Sequence, residues 1–293
     1  MKKQVGVIGS GSMVGSRFCE LSSLDVVPAD YPKVDILKKE TLNEFFKNSF
    51  EWVILFSAFT NVDEAEKQRG DKNGSCWQIN VEGLTNVVEA CKAHSRKLVF
   101  ISTEFVFDGT GGPYPEIAAT NEDLGKMGWY GITKFEGEKI VARELEDSLI
   151  VRITYPYRGP YEGKKDFVKI ILRKFKEGTL YPMFDDQIWT PTFVDDLAPA
   201  MDLLVSNNLK GIYHVVSPSQ TTPYMFAREL AGVFGLGAEK IEKGSLADFL
   251  KRPGATPRPT KGGLVVDKII REGFTPTDWQ EGIREIFKQS GGN

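Results

Sequence analysis

Short apolar runs separated by helix-length patterns fill the first half of the chain, and this alternation leaves few architectures open. Residues 5–8, 52–56, 98–101 and 149–153 read as buried strands, and Val26-Val27 is a weaker fifth that leads to Asp30. Residues 12–21, 42–47, 75–93 and 130–144 between them carry helical patterns. Strands joined by helices of this length imply βαβ units, hence an α/β fold with a doubly wound parallel sheet. Such sheets take ligands beyond the carboxyl ends of their strands. The residues that follow each apolar run are therefore the first place to look for chemistry.

The second half is less regular. Residues 155–186 hold Pro-, Gly- and Lys-rich turns around a helix at 167–176. Thr192-Phe193-Val194 leads to a helix at 195–206 with Asp195 as its N-cap. A strand at 211–216 and a helix at 224–234 follow; residues 251–260 are too proline-rich for regular structure, and a last helix at 278–288 precedes a Gly-Gly-Asn tail expected to fray.

Composition narrows the function. Over 293 residues, 41% hydrophobic and 26% charged residues are globular values. With 37 basic and 40 acidic residues the net charge is −3, which argues against a nucleic-acid or membrane-surface partner. The apolar runs fall far short of the roughly 20 residues that cross a bilayer. Met1-Lys2-Lys3-Gln4 runs straight into the first strand without the longer apolar stretch of a signal peptide, so a cytoplasmic location is expected. Cys19, Cys76 and Cys91 form no CxxC pair and read as reduced thiols. His94 reads as solvent-exposed at a helix end and His214 as packed in a sheet. No histidine catalysis and no metal are expected.

Gly9-Ser10-Gly11-Ser12-Met13-Val14-Gly15 follows the first strand and opens a helix. Glycine lets backbone approach a pyrophosphate closely, and the helix N-terminus supplies free N–H groups and partial positive charge. In this place the loop points to dinucleotide binding; the alternative is a tight turn with no ligand. Asp30, at the end of the second strand, would bond a ribose 2′-hydroxyl and disfavour a 2′-phosphate. Lys33 nearby could offset that preference, so the choice between NADH and NADPH stays open.

The strongest constellation is Ser102-Thr103 after a strand together with Tyr130 and Lys134 on a helix. Residues four apart share a helix face. An ammonium beside a phenol favours the phenolate and lowers its pKa from about 10. Such a pair suits general acid–base work on a carbonyl or alcohol, with Thr103 bonding the same oxygen.

With these residues in place, the chain resembles the extended short-chain dehydrogenase/reductases, and within them the dTDP-4-dehydrorhamnose reductase group. The segment from Phe100 through Ser102-Thr103-Glu104-Phe105 to Asp108-Gly109 is similar to that group's STDYVFDG; Asn61 to Glu66 to its xVDxAE; and Ile79 to Asn86 to NVxGTxN. Tyr130 to Glu138 resembles YGxTKLxGE, Asp186 to Thr192 resembles DQxGxPT, and Arg258-Pro259 begins a stretch like RPxNSxL. The likeness spans nearly the whole chain.

The resemblance implies a Rossmann-type domain (residues 1–154 and 188–216) and a smaller C-terminal α/β substrate lobe (155–187 and 217–293). It implies hydride transfer from NADPH or NADH to a 4-keto nucleotide-diphospho-sugar, with Tyr130 as proton donor, Lys134 also binding the nicotinamide ribose, and Thr103 on the reacting oxygen. Gly9, Gly11, Ser12, Met13, Val14, Gly15, Asp30, Ser57, Ala58, Phe59, Asn80 and Ser102 would join Tyr130 and Lys134 around the cofactor. Glu104, Phe105, Tyr155, Gln187, Trp189 and Arg258 would meet the substrate, Arg258 with the planar fork that suits a diphosphate. A homodimer through the helices at 75–93 and 130–144 is implied as well.

The chain departs from the group where substrate should touch. Glu104 and Phe105 stand for Asp and Tyr, Trp189 for Gly, and Lys261-Gly262-Gly263-Leu264 for the NSxL part. Two other readings stay open: a nucleotide-sugar epimerase or dehydratase with bound NAD, and a non-catalytic dinucleotide-binding subunit like the regulatory subunit of methionine adenosyltransferase.

Overall fold

Eight strands and twelve helices make up the computed structural model, which describes residues 2–120, 124–163 and 166–292. The strands are β1 (Gln4–Ile8), β2 (Asp25–Ala29), β3 (Trp52–Leu55), β4 (Lys97–Thr103), β5 (Leu149–Ile153), β6 (Met183–Phe184), β7 (Gly211–His214) and β8 (Lys243–Gly244). The helices are α1 (Met13–Leu21), α2 (Lys39–Phe45), α3 (Val62–Glu66), α4 (Ser75–Trp77), α5 (Leu84–Ala93), α6 (Trp129–Glu144), α7 (Phe167–Lys176), α8 (Leu197–Ser206), α9 (Pro223–Val233), α10 (Leu246–Leu250), α11 (Asp267–Arg271) and α12 (Trp279–Gln289).

Six strands pair in parallel in the order β2-β1-β3-β4-β5-β7. The chain leaves β1 toward one edge and leaves β3 toward the other, so the order reverses between β1 and β3. That reversal opens a crevice at the carboxyl ends of the two strands. Both faces of the sheet are covered, which is why its strands read as apolar runs rather than alternating ones. Val7, Ile54 and Val151 pack with Phe18 of α1 and Met201 and Leu204 of α8 on one face. Ile8, Val53 and Phe100 pack with Leu42, Phe45, Val87 and Val88 of α2 and α5 on the other. A third core joins Tyr157, Ile171, Trp189, Phe226, Trp279 and Ile283, around which α7, α9 and α12 gather. Beside it β6 and β8 pair as a small parallel sheet.

Several expectations need correction. Asp195 does not cap α8: a 3-10 turn at Val194–Asp196 precedes the helix. The Asp195 carboxylate is taken instead by Arg17, whose Nε and Nη2 donate at 2.7 and 2.6 Å. The helix at 75–93 is interrupted by a π segment, Gln78–Gly83, which carries Asn80. His94 is half-buried with its ring 5.6 Å from Phe46, not solvent-exposed. Leu264, Val266 and Ile269, allotted to the lobe, pack into the core of the main sheet. The elements of five residues or fewer at α3, α10, α11, β6 and β8 are too short for periodicity to reveal. Among the described residues no helix is long and apolar enough to cross a membrane.

Candidate active site

The glycine loop sits at the sheet's reversal. Gly9 has φ +83°, and a Cβ there would lie 2.7 Å from the Ser57 amide nitrogen, so only glycine lets the ends of β1 and β3 approach so closely. Ser12 caps α1: its Oγ accepts from the Gly15 N–H at 3.0 Å and donates to the Gly9 carbonyl at 2.7 Å. The first N–H groups of a helix have no partner within it, and that end is partly positive. This crevice therefore offers what a dinucleotide diphosphate needs. The Asp30 carboxylate accepts from the N–H groups of Gly11 at 2.6 Å and Tyr31 at 2.8 Å, which ties the loop to the end of β2.

Ser57, Ala58 and Phe59 follow β3 and are half-buried. Asn80, expected at the cofactor, is spoken for within the protein. Its Oδ1 accepts from Phe59 N–H at 2.8 Å, and its Nδ2 donates to the Phe59 carbonyl and to Thr133 Oγ1, each at 3.0 Å. It positions Phe59 and α6 rather than meeting a ligand itself.

Ser102 and Thr103 end β4, opposite Arg152 and Ile153 of β5. The start of α6 is held by Glu66, which accepts from the Trp129 N–H at 2.8 Å. Gly131 allows the helix to lie on the turn at Glu104–Val106, since a Cβ would fall 2.2 Å from the Phe105 carbonyl oxygen. This contact brings Tyr130 beside Thr103. Burial pushes the Tyr130 phenol well up, with Cys76 adding to the effect, while the Thr103 hydroxyl opposes it as a hydrogen-bond partner. Burial brings Lys134 down to about 7. Its ammonium stands over the Phe100 ring at 3.9 Å. Glu138, one turn on, is engaged by Arg152, which donates at 2.9 and 2.7 Å. The net direction for the phenol is upward, against expectation, because loss of water on burial is the largest effect on it, as it is on the lysine. The Ser102 hydroxyl is buried with no protein partner.

A cleft of about 1190 Å³ opens between the lobe and α3, lined by Tyr155, Phe167, Gln187, Trp189, Phe249 and Arg258 among others. Tyr155 meets Trp189 edge to face at 4.0 Å. Gln187 Nε2 donates to the Tyr155 hydroxyl at 3.0 Å and the Pro259 carbonyl at 3.1 Å. Arg258 pairs with Asp63 at 2.6 Å. The Phe105 ring lies 5.8 Å from Tyr130 and 6.1 Å from Tyr155, and so links the phenol to the cleft. Two of the expected substrate residues, Glu104 and Phe105, are not in the cleft lining, and Glu104 is the one turned away from it. It is buried beneath the 262–263 strap, where one carboxylate oxygen accepts from the Gly263 N–H at 2.5 Å and the other has no partner. Burial raises it to about 7. Sequence reasoning missed Tyr181 and Phe249 in the cleft wall and Arg158 and Tyr161 at the glycine loop. All four sit in segments without periodicity, so no local signal marked them. Among the described residues no group of three or more His, Cys, Asp or Glu side chains could hold a metal ion.

A sheet reversed at β1 and β3, with a Tyr–Lys pair one turn apart beside the end of β4, defines a Rossmann-type protein of the extended short-chain dehydrogenase/reductase class. The family model described as RmlD substrate binding domain matches residues 3–291, and the chain belongs to that family. It is 27% identical to a dTDP-4-dehydrorhamnose reductase of Mycolicibacterium smegmatis, over 97% of this chain and 85% of the relative. The crystal structure of a dTDP-4-dehydrorhamnose reductase from Bacillus anthracis in complex with NADP superposes with a TM-score of 0.87 at 28% identity, covering 99% of this chain and 100% of that one. A Thermus thermophilus UDP-glucose 4-epimerase in complex with NAD, 21% identical with a TM-score of 0.75 over 99% of each chain, shares the fold. The chain is an NAD(P)-dependent oxidoreductase of the nucleotide-sugar class.

Proposed function

We propose that the protein reduces the 4-keto group of a dTDP-linked 6-deoxyhexose, as a dTDP-4-dehydrorhamnose reductase does. The observation that carries this is the meeting of Tyr130 and Thr103 at the end of β4, joined through Phe105 to a cleft large enough for a nucleotide-sugar. NADPH or NADH, when bound, supplies the hydride. Gly9, Gly11, Ser12, Met13, Val14 and Gly15 hold its diphosphate, Asp30 stands at its adenosine ribose, and Ser57, Ala58, Phe59 and Ser102 line the rest.

Tyr130 gives its proton to the carbonyl oxygen. The phenol carries its proton at neutral pH and gives it up as negative charge builds on the carbonyl oxygen. Thr103 donates to the same oxygen and fixes its direction. Lys134, near half-charged at neutral pH in its buried site, gains charge as anionic groups approach and then stabilises the phenolate left behind. Tyr155, Gln187 and Trp189 grip the sugar, and Arg258 the diphosphate. We also read residues 1–154 and 188–216, joined by Leu264, Val266 and Ile269, as the cofactor domain and the rest as the substrate lobe, in a cytoplasmic enzyme. A homodimer would pair through α5 and α6, whose outer faces offer ion pairs such as Lys92–Glu144 and Lys139–Glu136.

The test is oxidation of NADPH and NADH with a dTDP-4-keto-6-deoxyhexose. Wild type turns over, and Tyr130→Phe lowers kcat by about 10²–10⁴, the range for loss of a general acid. No net oxidation, with NAD that co-purifies, would move the assignment to an epimerase or dehydratase. Binding without turnover would move it to a regulatory subunit.

A further inference from the structure

We infer that Arg158 and Tyr161, both carried into the lobe by the segment after β5, complete the dinucleotide cradle from the substrate side, so that cofactor affinity depends on the lobe. The inference rests on the reading of the glycine loop as the diphosphate site. Tyr161 donates its hydroxyl proton to the Gly11 carbonyl at 2.7 Å. The N–H of Gly11 is held by Asp30 at 2.6 Å. This exposed glycine is thus fixed on one side by the end of β2 and on the other by the lobe.

Arg158 reinforces the same turn. Its guanidinium is buried, donating from Nη1 to the Met13 carbonyl at 3.1 Å and to Ser16 Oγ at 3.0 Å, and it lies 5.1 Å from the Tyr161 ring. Nη2 reaches Glu20 at 3.2 Å, a carboxylate with 48% of its side chain exposed, and Nε has no protein partner. A cation beside the first turn of a helix adds to the positive end of the helix dipole instead of offsetting it. A buried charge with a donor to spare and a solvated counter-ion is incompletely paired. By holding the Met13 carbonyl and the Ser16 hydroxyl, Arg158 fixes the first turn of α1, over which the diphosphate of a dinucleotide would lie.

The backbone of Arg158 is anchored into the lobe. Its N–H donates to Asp166 Oδ2 at 3.2 Å and its carbonyl accepts from Lys169 Nζ at 3.3 Å. Asp166 caps α7 through the Lys169 N–H at 2.9 Å, and Ile170 and Ile171 of that helix line the cleft. A continuous set of bonded groups therefore runs from the sugar cleft through α7 to the first turn of α1.

The experiment is a fluorescence titration of NADH and NADPH, without sugar, at several salt concentrations, with thermal melts of each ligand-free protein. Tyr161→Phe should raise Kd for both dinucleotides by about 3- to 10-fold as the turn loses its hold from the lobe, with at most a small fall in the ligand-free melt. Arg158→Gln should raise Kd further and flatten its dependence on salt, because a positive charge beside the first turn of α1 is gone. Wild-type Kd and salt dependence in both variants would overturn the inference, and so would a lowered melting temperature with unchanged Kd, which assigns these contacts to lobe docking alone. A wild type that binds neither dinucleotide would overturn the glycine-loop reading and this inference with it.

Discussion

The cofactor side and the sugar side of the site are built in opposite ways. On the cofactor side each group lies within a few residues of a strand end: Gly9–Gly15 after β1, Ser57–Phe59 after β3, Ser102 and Thr103 on β4. Sheet register fixes where these ends fall, and the strands that set it are buried on both faces. On the sugar side only Tyr155 follows a strand, β5; Gln187 and Trp189 come from one irregular segment and Arg258 from another. They are held by single bridges such as Ile188 to Lys261 and Trp189 to Thr221. A site fixed by register is rigid and hard to vary. A site fixed by scattered bridges can change its residues without disturbing the sheet.

Breaking the register-built side should cost most. Arg152 and Glu138 form a bidentate pair buried between β5 and α6, with the guanidinium also over the Phe107 ring at 4.9 Å. Glu138→Ala leaves a buried, unpaired arginine and should destabilise the fold by about 3–5 kcal/mol in chemical denaturation. If the loss is under 1 kcal/mol, on the order of a surface pair, the rigidity attributed to this side is wrong. Gly131→Ala is the next step down. Its methyl would press on the Phe105 carbonyl, so about 1–3 kcal/mol is expected, with a fall in kcat as Tyr130 is moved from Thr103. A stability loss with unchanged kcat would show that the approach of α6 to the 104–106 turn does not set the catalytic geometry.

The same contrast explains what the sequence disclosed. The strands, the glycine loop and the Tyr130–Lys134 pair were legible because each is a local pattern: an apolar run, a glycine spacing, a four-residue step on a helix. Glu104 was misplaced because only the position of the 262–263 strap, about 160 residues away in the chain, decides whether that carboxylate faces the cleft or the core. Asn80 was placed at the cofactor site, but nothing local shows that its amide is bonded to Phe59 and Thr133. The net shift of Tyr130 was expected downward because proximity to Lys134 can be read from a four-residue step and burial, which raises the phenol, cannot.

Glu104 gives a smaller, pH-dependent test at the seam between the two sides. Burial raises its pKa from 4.5 to about 7, with the Gly263 N–H opposing. Between those values the folded chain keeps a proton that the unfolded chain has released. The unfolded state binds fewer protons there, so stability falls as pH rises through the window. Glu104→Gln removes the titration. Its melting temperature relative to wild type should climb from about pH 4.5 to about pH 7 and level off above. A difference that is flat across this range would mean that water reaches the carboxylate and that the strap is open in solution.

The smallest expected effect on the fold tests the sugar side most directly. Asp63 and Arg258 join α3 to the proline-rich strap at 2.6 Å, but the Asp63 side chain is 59% exposed. A pair with one solvated partner contributes about 0–1 kcal/mol, so Asp63→Asn should barely move the melting temperature. Its effect on substrate should be larger. If Arg258 takes the diphosphate, Asp63 competes for the same guanidinium, and a substrate must displace it before the fork can close on two phosphate oxygens. Asp63→Asn should then lower KM for the nucleotide-sugar while Arg258→Ala raises it, with kcat little changed in either, since neither residue approaches the reacting carbon. If KM rises in both variants, the ion pair itself shapes the cleft and Arg258 reaches the substrate only through Asp63. An unchanged KM in both would remove the strap from the diphosphate site and leave the sugar side resting on Tyr155, Gln187 and Trp189 alone.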